Sequence, residues 1–403
     1  MSHLGPLVIV SNGDSAALGD QLAESGAFPI VNADWDDAAT AILDVQPAAV
    51  VAQVDEGTSQ SMRAVTDVCA TILPYTPVLA VGPLFASPGD ALPFTTPDLG
   101  LDRLRPRLAA ALRVRALHAT VLRRLVDAPG DAAFQGNDPL HDATVVLVGR
   151  GRSYPALTVA FGERVGLIGA LSIESAAKHL ASREVDGIVL GDGFSHRVAE
   201  AFLTVLAEDA RFRSLPVIVG GSFAGGATPA LPNLEIARGS PDVVVAHAVP
   251  LVRQHAFEMR LSRTLKSVDA GGVIDPATGL LTTEAFDRNW EKAVTETIAS
   301  GGAMSAARFC FDNADARARR DAARILGRLL RGADFASLRE DHSIVTAFAE
   351  TELREAHVIA RRLAAVLRQT AFGPAGKRRV DPMVTLATVK PNDTAATVFA
   401  RLS

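Results

Sequence analysis

Short apolar runs alternate with amphipathic stretches along the first third of the chain. The runs Leu7–Val10, Ala48–Ala52 and Val78–Val81 are apolar throughout, which is typical of strands buried on both faces of a parallel sheet. The stretches Ala16–Ser25 and Leu101–Val126 carry apolar residues at helical spacing. Strands that alternate with helices predict an α/β fold in which helices cover both faces of the sheet.

The same pattern recurs in the second third of the chain. Val145–Val148 matches the first run, Gly187–Leu190 matches Ala49–Ala52, and Pro216–Val219 matches Pro77–Ala80. Val243–Val245 is predicted as the last strand of this repeat and Pro250–Lys266 as its closing helix. A period of roughly 140 residues indicates a duplicated domain and not a solenoid of short repeats. The expected divisions are a first domain at 1–127, a linker at 128–141, a second domain at 142–268 and a third at 269–403.

Composition narrows the class of protein. The chain has 403 residues, of which 48% are apolar and 21% charged, as in ordinary globular proteins with several domains. Its two cysteines, Cys69 and Cys310, exclude a disulfide framework or a cysteine zinc site and suit the reducing cytoplasm. The formal net charge of -5 offers no general attraction to nucleic acid, and no apolar run reaches the length of a membrane span. We therefore expect a cytoplasmic protein with no nucleic-acid partner and no membrane span.

Residues 5–127 and 142–266 resemble the receiver domains of response regulators. The resemblance implies two flavodoxin-like domains, each built on a five-stranded parallel sheet. A receiver holds Mg²⁺ with acidic residues after its first strand and accepts a phosphoryl group on an aspartate after its third. Those phosphoacceptor positions fall on Gln53 and Gly191, and the acidic pairs are replaced by Ser11 with Asn12 and by Gly149 with Arg150. The resemblance therefore implies pseudo-receivers, which serve dimerisation and partner docking.

Two carboxylates lie near the missing phosphoacceptors. Asp55 and Asp192 are each out of register with the receiver pattern, and surface loop carboxylates are the simpler interpretation. Gly82 and Gly220 stand where receivers carry Thr or Ser. Phosphorylation of Asp55 or Asp192 stays open on the sequence.

The third segment resembles a different domain. Asp275–Leu280, followed by Phe286, resembles the opening of GGDEF domains, the diguanylate cyclase domains with a nucleotidyl cyclase-like, ferredoxin-like core. A predicted strand Ala307–Phe311 ends at Asp312, where active cyclases hold Mg²⁺ against the triphosphate. An arginine-rich helix, Ala316–Arg331, follows at once, so comparison with the family pattern implies that the guanine-binding loop is missing.

The signature turn of that family is replaced. Active cyclases carry Gly-Gly-Asp/Glu-Glu-Phe at this position, whereas this chain has Glu340, Asp341, His342, Ser343 and Ile344. Two glycines let the backbone approach the substrate phosphates, and Glu340 and Asp341 bring side chains and negative charge there instead. The metal and catalytic positions fall on His342 and Ser343, although two-metal phosphoryl transfer needs carboxylates. We expect a degenerate domain with no catalytic residue, no metal and no cofactor.

The ligand-holding residues of the family are retained. Arg331 and Asp334 form the RxxD that in active cyclases is the inhibitory site for cyclic di-GMP. An arginine fork pairs with guanine acceptors and phosphate, and a carboxylate accepts from guanine N–H groups. A second arginine of the family site maps to Arg379, beside Arg378, ahead of the predicted strand Val384–Ala387. The alternative is a solvated helix-end pair and a basic loop.

The order of these domains is similar to that of the PleD- and PopA-like family of response regulators. The resemblance implies a catalytically inactive, homodimeric effector of bacterial signalling that binds cyclic di-GMP. It also implies protein partners of a signalling or cell-cycle pathway, met in the cytoplasm or at a cell pole. Two alternatives stay open: a ligand-free scaffold for protein interactions, and an active diguanylate cyclase.

Overall fold

A computed structural model describes most of the chain, which divides into two compact units, Met1–Leu261 and Ser262–Ser403. The described residues are 6–13, 16–23, 29–55, 58–83, 89–95, 100–126, 138–220, 230–300, 303–311, 314–331, 333–349, 351–372 and 378–402. Within them, no helix is long and apolar enough to cross a membrane.

The first half of the N-terminal unit is built on a parallel sheet of five strands. The strands are β1 Leu7–Val10, β2 Ile30–Ala33, β3 Ala49–Gln53, β4 Val78–Gly82 and β5 Leu92–Thr95. The helices are α1 Ala16–Ala23, α2 Ala38–Val45, α3 Ser59–Ala70 and α4 Leu104–Val126, the last preceded by a 3₁₀ turn, Leu101–Arg103. The strand order β2-β1-β3-β4-β5 is that of flavodoxin-like folds.

The second half repeats this topology. Its strands are β6 Thr144–Val148, β7 Gly166–Ala170, β8 Gly187–Leu190, β9 Val217–Val219 and β10 Leu234–Ile236, in the order β10-β9-β8-β6-β7. Its helices are α5 Tyr154–Gly162, α6 Ile173–Ser182, α7 His196–Glu208 and α8 Pro241–Asp269. The predicted parallel α/β architecture is confirmed for both halves.

The predicted last strand of the second half was wrong. Val243–Val245 lies in helix α8, which begins at Pro241 and continues through Pro250. A proline suits the first turn of a helix because its missing N–H would have no partner there. Val244 and Val245 are buried on the helical face and not on a strand. The actual strand is β10, where Glu235 interrupts the apolar pattern.

The C-terminal unit is an antiparallel sheet flanked by helices. Its strands are β11 Met304–Cys310, β12 Phe335–Leu338, β13 Ile344–Ala349 and β16 Met383–Thr388, in the order β12-β13-β11-β16, with a separate hairpin of β14 Ala371–Phe372 and β15 Arg378–Arg379. Its helices are α9 Thr283–Ser300, α10 Ala316–Leu329, α11 Leu353–Gln369 and α12 Ala395–Ala400.

Strand β11 separates two cores of this unit. Ala307 and Phe309 pack with the apolar residues of α10 and α11, whereas Met304 and Ala306 pack with those of α9. This alternation is the period of a strand with helices on both faces. The strand places its residues beside β13, which follows the signature positions. Asp312, the predicted metal ligand after this strand, lies outside the described residues.

Candidate ligand site and signature hairpin

The RxxD motif forms a tight turn between α10 and β12. The backbone N–H of Asp334 donates to the carbonyl oxygen of Arg331 at 3.0 Å, and the N–H of Arg331 donates to the Asp334 carboxylate at 3.3 Å. The other carboxylate oxygen accepts the backbone N–H of Ala349, at the end of β13, at 3.2 Å. Backbone donors thus fix the Asp334 carboxylate, and each of its oxygens keeps acceptor capacity for a ligand. The Arg331 side chain is exposed.

The other two predicted ligand residues lie on a separate hairpin. Arg378 and Arg379 form β15, which pairs with Phe372 and Ala371, and their side chains lie outside what the structure describes. The hairpin precedes β16, the edge strand opposite β12. Three strand spacings of about 4.8 Å put these two edges roughly 14 Å apart. Because the Arg378 and Arg379 side chains are not described, a site shared by all four residues stays a prediction.

The signature positions form the turn between β12 and β13. The N–H of His342 donates to the carbonyl oxygen of Arg339 at 2.9 Å. The N–H of Arg339 donates to the carbonyl oxygen of Ser343 at 2.8 Å. His342 has a φ of 66°, in the left-handed region that glycine adopts most easily. Glu340 is exposed, and Ile344 begins β13 fully buried in the core. The turn therefore carries side chains on a backbone geometry suited to glycine.

Arg308 of β11 neutralises the carboxylate in this turn. Its guanidinium contacts Asp341, and its Nε donates to the hydroxyl oxygen of Ser343 at 3.2 Å. The Ser343 hydroxyl and backbone N–H both donate to Asp341, at 2.6 and 2.9 Å. Partial burial works to raise the pKa of Asp341, but the bonds from Ser343 and the charge of Arg308 outweigh it and hold that pKa below its usual range. The second of the signature positions, Asp341, thus takes part in an internal ion pair with Arg308.

A second arginine anchors the hairpin to the helices. Arg339 makes a bidentate contact with Asp287 of α9 at 2.7 and 3.2 Å. Its guanidinium also lies over the rings of Phe286 and Phe399, 5.7 and 5.1 Å from their centroids, within cation–π range. Sequence reasoning missed Arg308, Arg339 and Asp287. The available signal was Arg308, the one charged residue in strand β11, where Ser305 is the other polar residue.

An open groove lies between α11 and β16. It encloses about 480 Å³ and includes His357, Arg361, Arg368, Asp381 and Met383 in its lining. Arg368 and Asp381 form an ion pair at its end. The groove was not expected from the sequence, because its two walls are separated by the β14–β15 hairpin.

The phosphoacceptor position of the first half holds no carboxylate. Gln53 ends β3, half-buried, and Asp55 lies two residues later with its side chain exposed. The Thr58 hydroxyl donates to the Asp55 carbonyl oxygen at 2.9 Å and accepts the Asp55 N–H at 3.3 Å, so these bonds join Asp55 to the N-cap residue of α3. At Gly82, a Cβ would collide with the carbonyl oxygen of Val54, so the larger residue of a receiver does not fit here.

In the second half, Asp192 lies one residue after Gly191 and caps α5. Its carboxylate accepts the Ser153 hydroxyl and, at 3.4 Å, the Ser153 N–H. Its carbonyl oxygen accepts the N–H groups of Arg150 and Gly151, each at 3.2 Å. Burial works to raise the pKa of Asp192, but the bonds from Ser153 outweigh it and lower that pKa. A Cβ at Gly151 would collide with this carboxylate, so the close approach needs glycine.

The structure gives no metal centre in the residues it describes. No three His, Cys, Asp or Glu side chains among them are grouped so as to hold a metal ion. The carboxylates of Asp341 and Asp192 are bonded to protein donors.

Comparisons with known proteins give distant matches. No protein-family model matches the chain, and no curated protein does. Solved structures that match include the coiled coil and GGDEF domain of DgcB from Caulobacter crescentus in complex with c-di-GMP, at 18% identity, covering 36% of this chain and 83% of that one, with a TM-score of 0.31. The FimX GGDEF domain from Pseudomonas aeruginosa matches at 15% identity, covering 32% and 88%, with a TM-score of 0.30.

A third match is the diguanylate cyclase SiaD from Pseudomonas aeruginosa in complex with its activator SiaC. The identity is 16%, the coverage is 36% of this chain and 63% of that one, and the TM-score is 0.31. Likenesses at this level do not decide what this chain binds or does. That question rests on the chain's own residues.

Proposed function

We propose that the protein is a catalytically inactive effector of bacterial signalling that binds cyclic di-GMP at Arg331 and Asp334. The RxxD turn is the observation that carries this proposal. Backbone donors fix the Asp334 carboxylate, while the Arg331 side chain stands exposed beside it. Guanine offers N–H donors to such a carboxylate and acceptor atoms to a guanidinium fork. Arg378 and Arg379 are proposed as additional arginine contacts to the ligand.

The lack of catalysis is proposed from the signature hairpin. A cyclase needs carboxylates there to hold metal ions, and a bare backbone to approach the phosphates. In this chain Asp341 is bonded to Arg308 and Ser343, and His342 occupies the left-handed position of the turn. Both features favour a closed hairpin without the space or the ligands that phosphoryl transfer requires.

The N-terminal unit is proposed to consist of two pseudo-receivers that dock protein partners. The flavodoxin-like strand order, Gln53 at one phosphoacceptor position and Gly191 at the other support this assignment. A homodimer, a partner in a signalling or cell-cycle pathway, and recruitment to a cell pole stay predictions from the resemblance. The rival proposal is a scaffold that binds no nucleotide.

Calorimetric titration with cyclic di-GMP tests the ligand. We expect binding by the wild type and by Arg288→Ala, a control that removes an exposed arginine of α9 from the same unit. Arg331→Ala should weaken binding by about 10- to 100-fold, because hydrogen bonds to charged groups contribute about 1.5–3 kcal/mol. The absence of heat from the wild type would leave the scaffold as the function.

Incubation with GTP and Mg²⁺ tests the proposed loss of catalysis. We expect no cyclic di-GMP above that of a protein-free control. Turnover by the wild type that is lost in Asp341→Asn would establish an active cyclase and overturn the interpretation of the hairpin.

A further inference from the structure

The last strand of each half of the N-terminal unit lies against the other half. Strands β5 and β10 are neighbours although each belongs to its own sheet. Around them, one apolar cluster continues from the first half to the second, including Phe94, Leu108, Leu234 and Leu251. We call the contact of β5 and α4 with β10 and α8 the inter-half interface.

A charged pair is fully enclosed in this interface. Glu235 of β10 is 0% exposed and Arg107 of α4 is 1% exposed, with 3.3 Å between their charged atoms. The Glu235 carboxylate also accepts the hydroxyl and, at 3.1 Å, the N–H of Thr95 at the end of β5. His247 of α8 lies 3.6 Å from the same oxygen. A carboxylate of the second half is thus satisfied largely by donors of the first.

Arg107 of the first half is bonded to acceptors in both halves, most of them in the second. Its guanidinium donates to the carbonyl oxygens of Pro232 at 2.7 Å and Leu234 at 2.5 Å in the second half, and of Pro93 at 2.5 Å in the first. These acceptors belong to the two facing strand segments, so a single side chain fixes their relative position.

The charges of the interface are arranged asymmetrically. Leu79 of β4 and Ile218 of β9 occupy equivalent positions in the two halves. Leu79 pairs with Leu92, and Ile218 pairs with Glu235. The first half therefore has the apolar Leu92 at the position where the second half has Glu235. The stretch 241–252 of α8 contains no arginine or lysine to match Arg107. At the rim, Asp90 of the first half contacts Arg253 of the second, again with opposite charges on the two halves.

Like halves therefore do not fit each other. Two first halves would bury two Arg107 guanidinium groups without a carboxylate, and two second halves would bury two Glu235 carboxylates without a guanidinium. A buried charge without its partner is strongly destabilising, whereas the unlike pairing satisfies both.

We propose that the inter-half interface is a permanent contact within one chain, specific for unlike halves through Arg107 and Glu235. A second copy of the chain then has no access to β5 or β10, and any homodimer is formed through another surface. The last strand and helix, a surface through which receivers often pair, are already covered in this protein. The inference is independent of nucleotide binding.

Hydrogen exchange of the full chain, read out by mass spectrometry, tests the proposal without any substitution. Peptides that contain β5 or β10 should show the same protection at every protein concentration of a 100-fold dilution series. Light scattering records the oligomeric mass at each concentration. If protection and oligomeric mass both fall on dilution, the contact lies between two chains. The two halves would then belong to different chains, either in an ordinary dimer or in one that has exchanged halves, and the proposal would be overturned.

Substitutions test the role of the charged pair. Glu235→Leu should raise exchange in β5 as well as in β10, and Arg107→Met should do the same, because each removes a bond that crosses the interface. Arg113→Ala, which removes an exposed arginine from the same helix α4, is the matched control and should leave both strands protected. An effect of Glu235→Leu confined to β10 would show that the carboxylate does not hold the two halves together.

Discussion

Removal of the buried charged pair from the N-terminal unit should reveal a large coupling free energy between Arg107 and Glu235. At 3.3 Å, an effective dielectric constant near 20 gives an attraction of about 5 kcal/mol between the two charges. Glu235→Leu leaves the guanidinium with three carbonyl acceptors but no counter-charge, and Arg107→Met leaves the carboxylate with Thr95 and His247. Each single substitution should lower the free energy of unfolding by about 3–5 kcal/mol.

The double variant should lose much less free energy of unfolding than the sum of the losses in the two single variants. Without either charge, the remaining cost is that of the groups left without partners, which are three carbonyl oxygens and Thr95, at about 1 kcal/mol each, the lower end of the range for unpaired buried groups. We expect a total loss near 3–4 kcal/mol, against about 6–10 kcal/mol if the two effects were independent.

Urea unfolding in a Trp290→Phe background provides the assay. The chain has two tryptophans, so Trp35 is then the only indole and reports the N-terminal unit alone. A double variant whose loss equals the sum of the single losses within about 1 kcal/mol would refute the pairing.

The same carboxylate predicts a pH dependence. Burial works to raise the pKa of Glu235, but His247, Arg107 and Thr95 outweigh it, so the folded pKa lies below the unfolded value of about 4.3. The stabilisation is therefore complete above pH about 4.3 and is lost as the pH falls through the folded pKa. Glu235→Gln should flatten this part of the acid unfolding curve, and an unchanged curve would contradict the assignment.

Three further substitutions or treatments test other contacts. Gly82→Ala should destabilise the N-terminal unit by more than about 2 kcal/mol in urea unfolding, because the added Cβ meets backbone atoms. Gly19→Ala lies in a helix with open space around it and should stabilise the unit by about 0.5–1 kcal/mol in the same assay. Arg308→Ala should lower the free energy of unfolding by no more than about 1 kcal/mol, measured by Trp290 fluorescence, because the side chains of Arg308 and Asp341 are 23% and 48% exposed. A loss above about 3 kcal/mol would contradict the interpretation of this contact as a surface pair. Acetyl phosphate should leave the mass of the protein unchanged, since Asp192 caps a helix; a phosphoryl adduct lost in Asp192→Asn would oppose that role.

The sequence predicted the central strands better than the outer ones. The strands β1, β3, β4, β6 and β8 each contain four consecutive buried residues that are apolar or glycine, so their composition alone identifies them. The outer strands β2, β5 and β10 carry Asn32, Pro93 and Glu235, which break that pattern. A proline is tolerated in an edge strand, where a backbone N–H need not pair with a neighbour. Glu235 is buried in its strand because of Arg107, a residue 128 positions away that no local window contains.

The candidate site shows the same division between local and distant determinants. Arg331 and Asp334 are close in sequence, and their turn is closed by bonds within the motif, so a local pattern could name both residues, while their role as a ligand site stays a prediction. The ion pair between Arg308 and Asp341 depends on the pairing of β11 with β13, which places one strand beside the signature turn. Sequence spacing does not predict which strands pair, so the charge of Arg308 could be noticed in the sequence but its partner Asp341 could not be predicted.

Asp341 and Asp192 lie close in sequence to the positions where a cyclase and a receiver, respectively, would use Mg²⁺, and the two carboxylates share one feature. Asp341 is satisfied by Arg308 and Ser343, and Asp192 by Ser153 at the start of a helix. A carboxylate held by protein donors is stable without a metal ion, and its lowered pKa reflects that support. Phosphorylation or metal binding at either place would first have to break these bonds. The proposed regulation therefore belongs to the RxxD turn, where the Arg331 side chain is exposed and a ligand can add contacts without removing any.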